Sequence, residues 1–455
     1  MNSRATLTTG DVKTILFNKT IPMVFGILGL IVFNIVDTYF VSRLGTGQLA
    51  ALTFTFPVVL VLNSVALGIG TGTVAALSRV IGKGDTPRIK RIATDSLSLG
   101  LVVVFVFVVF GLLTIKPLFT MLGATSEVMP YIESYMRIWY LGVLFVVIPM
   151  VGNNSIRAMG DTKTPGLVMM IAAVVNIILD PILIFGLGPF PRLEVAGAAI
   201  ATVIARMTTF TVALYVLIIR EKVVELKKVP FDEVLESWKT ILFIGLPNAM
   251  AKVIMPIGIG IITGLMARES IEAVAGYGVA AKIERFATLF VISLSVVMTP
   301  FVGQNLGAQK FDRIRESIRL SYGFSIISSL ILYGILSIAS KPIGALFSKD
   351  PQVINVVVLY LMIVPLGYGF QGIQHISISI LNALHKPFQA TGIAIMQMFI
   401  IYVPLAIIGS KLAGIKGVFA ALVISYVISS VVAIRTTYYY LKYEKNKIKK
   451  PIDKI

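Results

Sequence analysis

The chain has 455 residues, of which 56% are hydrophobic and only 14% are charged, and its mean hydropathy is +0.90. A soluble domain carries about 25% charged residues because water contacts its whole surface, so this composition excludes a soluble protein. The net charge of +18 is compatible with nucleic-acid binding, and the absence of cysteine excludes disulfide and thiol chemistry.

Twelve apolar stretches are long enough to cross a bilayer, since about 20 helical residues at 1.5 Å each span its ~30 Å core. They do not alternate polar and apolar residues as the wall of a membrane β-barrel does. The sequence therefore predicts an all-α membrane protein with twelve transmembrane helices. The predicted spans are 15–42, 49–78, 93–115, 129–153, 165–188, 195–219, 240–266, 273–302, 318–340, 352–383, 388–410 and 415–440.

Lysine and arginine are distributed unevenly between alternate loops. The loops on the side of both termini hold 27 of the 40 basic residues, the opposite loops hold 8, and the other 5 lie within spans. Loops rich in basic residues stay in the cytoplasm, so the pattern predicts that both termini are cytoplasmic. The basic charge then indicates topology and contact with anionic lipid rather than nucleic-acid binding.

The chain contains an internal repeat displaced by 225 residues. Matching positions include Pro22 with Pro247, Gly82 with Gly307, and Lys116-Pro117 with Lys341-Pro342. Six spans in each copy predict two pseudo-symmetric six-helix bundles, an architecture typical of transporters. The predicted domains are an N-terminal lobe (1–219), a charged connector (220–239), a C-terminal lobe (240–440) and a basic tail (441–455).

Motifs for enzymatic chemistry and for ATP hydrolysis are absent from the sequence. Gly82-Lys83 lacks the upstream glycine and the following Ser or Thr of a P-loop. The two histidines form no metal-binding pair, and an aspartyl protease would need a loop motif beside its aspartates. Transport would then be driven by an ion gradient or an unseen partner, or would be facilitated diffusion.

Two carboxylates interrupt apolar helices of the first repeat. Asp37 follows Asn34 by three residues and Asp180 follows Asn176 by four, so each pair shares one helix face. An ionised carboxylate at the centre of a span costs roughly 2.5–3.5 kcal/mol, and such residues usually mark ion or substrate pathways. The alternative is an aspartate that caps a broken helix or binds a neighbouring arginine.

The second repeat has no carboxylate at the matching positions. Glu284 is a candidate there, although it is equally expected to pair with Lys282 or Arg285. Lys252 in the seventh span and Gln374 and His375 in the tenth are candidates for lining a cavity, or are satisfied packing residues.

Four segments together resemble the multidrug and toxin extrusion (MATE) family. They are IPMVFGILGLIVFNIVDTYFVSRLG at 21–45, SIRAMGDTKTP at 155–165, NIILDPILIFGLG at 176–188 and VAGAAIATVIA at 195–205. The resemblance extends over both bundles. It implies a MATE/MOP-type pair of bundles, V-shaped around a central cavity, and export of organic, often cationic and amphipathic compounds in exchange for H⁺ or Na⁺.

Within the family, the sequence is most similar to the prokaryotic DinF-like branch, whose cation site lies in the N-terminal lobe. The resemblance implies a cation-binding cluster and a surrounding polar network, with a bend of the first helix at Pro22. The cluster is Asp37, Asn176, Asp180 and Thr202, and the network is Asn34, Tyr135 and Asn153. A sodium-coupled bacterial branch uses carboxylates in helices 7 and 10, where this sequence has Lys252 and His375.

These observations predict a secondary active antiporter, with no enzymatic activity, working by alternating access with ion coupling in the N-terminal lobe. We expect a monomer in the prokaryotic cytoplasmic membrane, small organic substrates, contacts with lipid, no nucleic acid, no cofactor, and no metal other than Na⁺ at Asp37 and Asp180. The alternatives are a flippase for lipids or lipid-linked oligosaccharides and a non-transporting membrane receptor or scaffold.

Overall fold

A computed structural model of the chain describes residues 5–225, 227 and 229–449. Ten helices of this part are long and apolar enough to cross a membrane, and a bent pair of shorter helices forms an eleventh span. The last of the ten extends over 61 residues, Pro387–Lys447, which is about 90 Å and three times the thickness of a bilayer core. Non-helical angles at Ala413 and Gly414 divide it into two spans, so the described residues form twelve.

The prediction of twelve membrane helices is therefore confirmed. In chain order they are α1 (Val12–Ser42), α2 (Thr46–Lys83), α3 (Thr86–Met121), α4 (Met129–Gly142 and Leu144–Ala158), α5 (Lys163–Phe185), α6 (Glu194–Arg220), α7 (Phe231–Glu269), α8 (Ile271–Ala287 and Leu289–Gly307), α9 (Phe311–Phe347), α10 (Pro351–Ala383), α11 (387–412) and α12 (415–449).

Most helices extend beyond the predicted apolar spans. The third span was predicted at 93–115, but α3 begins at Thr86, where the Asp85 carboxylate accepts a hydrogen bond from the Arg88 backbone N–H at 3.1 Å. A side-chain cap and a proline in the first turn start a helix regardless of hydropathy. The apolar stretch marks the part in lipid, whereas the caps decide where the helix ends.

Three of the predicted spans are divided, and the one predicted at 352–383 contains a 3₁₀ turn at Val364–Gly367. The span predicted at 273–302 is interrupted at Thr288, whose backbone N–H and hydroxyl both donate to the Glu284 carbonyl, at 2.9 and 2.8 Å. The fourth span bends by 42° at Val143. Apolar residues continue through these breaks, so hydropathy did not reveal them.

The chain folds as two compact units, one of residues 21–249 with Ala5 and Thr6, the other of residues 7–20 and 250–449. Residues 450–455, the end of the predicted tail, lie outside the described residues, while 441–449 continue α12. A structural counterpart of the repeat is visible in the breaks. The bend at Val143 in α4 corresponds, 225 residues later, to the end of a 3₁₀ turn at Val364–Gly367 in α10.

In the first unit, small residues let α1 and α5 pack backbone against backbone. A Cβ atom on Gly26 would lie 2.8 Å from the Gly166 Cα, and one on Gly29 would lie 3.3 Å from the Met170 Cα. Close approach at small residues is how membrane helices gain van der Waals contact when lipid supplies no hydrophobic force between them. This packing fixes α1 beside α5, the two helices that carry the buried carboxylates.

In the second unit, two serine hydroxyls of α9 donate to backbone carbonyls in and next to the 3₁₀ turn of α10. Ser325 donates to the Gly369 carbonyl at 2.8 Å and Ser329 to the Pro365 carbonyl at 3.1 Å. The turn between α11 and α12 depends on Gly414, whose φ of 55° favours glycine. Next to it, Gly409 and Gly417 allow the two helices to meet as a tight hairpin.

Candidate ion-binding site

Asp180 and Asn176 form the centre of the candidate site on α5. Both side chains are fully buried, and the Asn176 amide Nδ2 donates to Asp180 Oδ1 at 3.0 Å. Asp180 Oδ2 and Asn176 Oδ1 are buried without a hydrogen-bond partner. The i,i+4 spacing predicted this pair, and its two unpaired oxygens can accept a proton or a cation.

Asp37 on α1 is half-buried, and its Oδ1 is shielded from solvent without a partner. It lies within electrostatic range of Asp180. Among the described residues neither carboxylate has a basic partner, since both lack an ion pair. An unpaired buried charge costs several kcal/mol, so these groups are stable when they hold a proton or share a cation.

Parallel packing explains how the carboxylates meet. At one end of this helix pair, a Cβ built on Gly166 of α5 would overlap the Pro22 carbonyl oxygen of α1. Asp37 follows Pro22 by 15 residues, and Asp180 follows Gly166 by 14, about 21–22 Å along each helix at 1.5 Å per residue. Two parallel helices in contact at Pro22 and Gly166 therefore bring Asp37 and Asp180 to the same depth.

Tyr135 on α4 contributes the third side of the site. Its side chain is only 8% exposed and lies within electrostatic range of both Asp37 and Asp180. The neighbouring rings of Trp139 and Tyr140 belong to the same buried apolar cluster. Tyr135 therefore lies near both carboxylates within a buried aromatic cluster.

The other expected network residues are less closely engaged. Asn34 is exposed, and its Nδ2 donates to the Leu30 carbonyl at 2.8 Å rather than to Asp37. Thr202 on α6 and Asn153 on α4 are half-buried, without a hydrogen bond to either carboxylate in the described part of the chain. Asn34 shares a helix face with Asp37 but forms no hydrogen bond with it in the described structure, because the backbone carbonyl one turn back accepts its amide.

In the second unit, Glu284 is held by residues that the sequence did not single out. It accepts hydrogen bonds from the Tyr360 hydroxyl, from Gln371 Nε2 at 2.8 Å and from the Tyr426 hydroxyl at 3.5 Å. The alternative pairing with Lys282 or Arg285 does not occur in the described structure. Such a tyrosine cluster leaves no spacing pattern, because α8, α10 and α12 meet only in the folded unit.

Lys252, Gln374 and His375 differ in environment. Gln374 is 5% exposed, and its Oε1 accepts a hydrogen bond from Ser429 at 3.3 Å, so it packs against α12. Lys252 and His375 are exposed, and they lie within electrostatic range of each other. The three expected cavity residues are thus one packing residue and two accessible basic groups.

Asp95 is a further buried carboxylate, at the start of the predicted third span, that was overlooked. It is 2% exposed and forms an ion pair with Arg91 at 2.6 Å. Its carbonyl accepts the Trp238 Nε1–H at 3.0 Å, which fixes the start of α7 on α3. The i,i+4 spacing of Arg91 and Asp95 was the available signal, and it indicates a structural pair.

Twelve membrane helices in two related units, with unpaired carboxylates at membrane depth in one of them, define a multi-pass membrane transporter. The MatE family model matches residues 22–182 and again 247–408. The chain belongs to the MATE family of multidrug efflux transporters, as its four segments predicted. The two matched regions begin 225 residues apart, the displacement of the internal repeat.

Relatives and solved structures agree with this assignment. A FAD transporter of Shewanella oneidensis is 37% identical over 425 residues, covering 93% of this chain and 94% of that protein. The multidrug export protein MepA of Staphylococcus aureus is 26% identical over 431 residues, covering 92% of each. The Vibrio cholerae MATE transporter VcmN in its bent form has a TM-score of 0.89 and 28% identity, over 98% of this chain and 99% of that chain.

Proposed function

We propose that this protein exports small organic compounds by secondary active antiport, with H⁺ or Na⁺ binding at Asp37 and Asp180 driving each cycle. One observation carries the proposal. Three buried oxygens of Asp37, Asn176 and Asp180 lack a hydrogen-bond partner, and no basic side chain of the described residues neutralises the two carboxylates. Buried polar groups are ordinarily satisfied, so an unsatisfied acidic cluster indicates a ligand that enters and leaves.

The packing of α1 on α5 suggests how binding would be coupled to movement. Proton or cation binding removes the repulsion between Asp37 and Asp180 and lets the helices approach at that level. The opposite contact lies at Pro22, where α1 lacks one backbone hydrogen bond and bends easily. The ion site and the hinge thus lie at the two ends of one helix pair, and a change at one is transmitted to the other.

Two cargo classes are consistent with the relatives. The MepA proteins are named as multidrug exporters, which suits the amphipathic cations expected from the family. The relative with 37% identity is named as a FAD transporter, and the exposed basic residues Lys252 and His375 favour a flavin phosphate as the second candidate. In either case we propose a prokaryotic cytoplasmic membrane location, cytoplasmic termini and a monomer without enzymatic activity.

Transport by purified protein in liposomes tests the coupling. A pH gradient and a sodium gradient are imposed separately, with ethidium or FAD as cargo, and the gradient that drives transport identifies the ion. Asp37→Asn removes one carboxylate and is expected to abolish gradient-dependent transport of both cargoes. Binding of cargo without a gradient is expected to remain, because Asp37 lies in the ion site.

Asp312→Asn is the matched control, since Asp312 is 93% exposed and lies at the start of α9, in the second unit. It is expected to transport at the wild-type rate. Wild-type gradient-dependent transport by Asp37→Asn, with the protein folded and inserted, would refute the coupling role.

A further inference from the structure

Lys252 is a basic residue deep within an apolar stretch of helix. It lies 12 residues inside the apolar stretch 240–266 of α7, and 14 from its other end, so about 18–21 Å of helix separate it from either end. A lysine side chain reaches only about 6 Å and does not snorkel over that distance. Because a charged lysine facing lipid at this depth costs at least about 2.5–3.5 kcal/mol, the exposed ammonium must face a hydrated surface.

His375 is likewise exposed within a predicted apolar span. Along α10 the residues at 372, 373, 374, 376 and 377 are buried, whereas His375 is exposed. The hydrogen bond of Gln374 with Ser429 fixes the rotation of α10 against α12 and so turns His375 away from that contact. His375 and Lys252 lie within electrostatic range of each other.

Lys252 and His375 both lack an acidic partner in the described part of the chain. Among the described residues, no carboxylate interacts with Lys252 or His375, and the one intramembrane acid of the second unit, Glu284, is hydrogen-bonded to Tyr360, Gln371 and Tyr426. A cation without a counter-ion attracts anions, and a bound anion would offset its charge. Phosphate oxygens are strong acceptors for both lysine and histidine donors.

Apolar side chains extend the same face of α7. Met255 is half-buried and Ile259 is 45% exposed, three and seven residues beyond Lys252, so they follow it on one side of the helix. This face combines one cation with an adjoining apolar surface. A flat aromatic body that carries a phosphate matches it better than a cationic compound, which Lys252 would repel.

We propose that Lys252 and His375 form an anion subsite that receives the phosphate of an amphipathic organic phosphate, such as a flavin phosphate, as cargo. This inference rests on the proposed function, in which the protein is an exporter, and it names the class of cargo. A phospholipid headgroup carries the same phosphate chemistry, so the test distinguishes a soluble cargo from a lipid.

Equilibrium binding to the full-length protein in phosphatidylcholine nanodiscs tests the subsite, with quenching of flavin fluorescence as the readout. Riboflavin 5′-phosphate and riboflavin are the probes, because they differ only in the phosphate. Wild type is expected to bind the phosphate ester more tightly. Lys252→Gln is expected to weaken its binding about tenfold or more, the effect of losing one charge-assisted hydrogen bond, and to leave riboflavin binding unchanged.

Lys252→Arg keeps the charge and is expected to retain most of the preference, and His375→Gln to lose part of it. Lys282→Gln, a change of an exposed lysine on α8, is the matched control and is expected to bind as wild type. Equal weakening of both probes by Lys252→Gln, or no weakening, overturns the subsite. Nanodiscs with phosphatidylglycerol that abolish binding of the phosphate ester to wild type would assign the site to lipid and overturn the cargo proposal.

The two experiments distinguish failure of the anion subsite from failure of ion coupling. Binding is measured without a gradient and depends on Lys252, whereas coupling is measured with a gradient and depends on Asp37. Asp37→Asn is therefore expected to retain the preference for the phosphate ester.

Discussion

Asp37 and Asp180 show how far single residues can be interpreted from sequence. A carboxylate in an apolar helix is conspicuous because its cost in lipid must be offset. The sequence also placed Asn176 one turn from Asp180, and the hydrogen bond between them forms as the spacing predicts. Tyr135 could be placed only by resemblance, since its approach to the carboxylates depends on how α4 packs.

Polar residues with a backbone alternative were less predictable. Asn34 has the spacing to reach Asp37, yet it donates to the Leu30 carbonyl of its own helix. Asparagine side chains readily bond to nearby backbone groups, and one-dimensional spacing does not reveal which partner is closer. Glu284 shows the converse, because its tyrosine partners come from distant helices.

Asp161, in the turn between α4 and α5, allows a prediction about pH. Burial by itself would raise the pKa of its carboxyl, but hydrogen bonds from the Thr164 side chain and backbone and from Arg220 outweigh burial, and the pKa lies below its ordinary value of 3.8. The folded state therefore favours the charged form. Its stabilising contribution is present above pH 4 and is lost as the pH falls through the lowered pKa.

Asp161→Asn is expected to reduce stability at pH 7 by about 1 kcal/mol, since the half-exposed Arg220 is partly screened. The midpoint of thermal unfolding in detergent measures this, and the difference from wild type should shrink toward pH 3. Asp312→Asn serves as the exposed control with little effect at either pH. A difference between wild type and Asp161→Asn that stays constant down to pH 3 would contradict the assignment.

At the scale of elements, hydropathy located each membrane segment, while local backbone chemistry decided its ends and breaks. The cap at Asp85 lengthens α3 beyond its apolar stretch, and the φ of Gly414 separates α11 from α12. The break at Thr288 carries no such sequence signal, because threonine is also found within continuous helices. Its hydrogen bonds to the Glu284 carbonyl appear only in the structure.

The contact between α1 and α5 predicts the effect of a single methyl group. Gly166→Ala would place a Cβ against the Pro22 carbonyl, and backbone atoms cannot move aside as a flexible side chain can. Forced separation of the two helices is expected to lower the free energy of unfolding by about 1–3 kcal/mol and to reduce gradient-driven transport. Thermal unfolding and liposome transport measure the two effects.

Gly334→Ala is the matched control for this variant. Gly334 lies within α9, and nothing is within 4 Å of a Cβ built on it. Alanine in a helix interior is favoured over glycine by about 0.5–1 kcal/mol, so this variant should be at least as stable as wild type. If Gly166→Ala were as stable and as active as Gly334→Ala, the close packing at Pro22 would have no role.

At the scale of the whole molecule, the positive-inside pattern predicts topology, and α9 offers a direct test. Asp312 lies in the first turn of α9, beside a basic loop, and Lys349 lies just after the end of α9 in a loop of the opposite set; both are exposed. Because the chain contains no cysteine, single substitutions give unique labels. A membrane-impermeant thiol reagent added to intact cells is expected to label Lys349→Cys and not Asp312→Cys.

After the membrane is permeabilised, both variants should be labelled to the same extent, which controls for reactivity. Labelling of Asp312→Cys in intact cells, with Lys349→Cys protected, would reverse the proposed orientation. Basic residues set orientation because moving them across the membrane is unfavourable, so the expected result follows from the loops alone.

The sequence by itself determined that the chain spans a membrane twelve times as two related halves, because lipid demands long apolar helices and a repeat is visible along one dimension. It also singled out Asp37 and Asp180 as candidate functional residues, because an acidic residue within an apolar helix is conspicuous. Only the tertiary structure decided which polar groups meet: Asn34 turns to its own backbone, Glu284 is hydrogen-bonded by tyrosines, and Lys252 lies within electrostatic range of His375. Those pairings join helices far apart in sequence, and packing between helices leaves no fixed spacing along the chain.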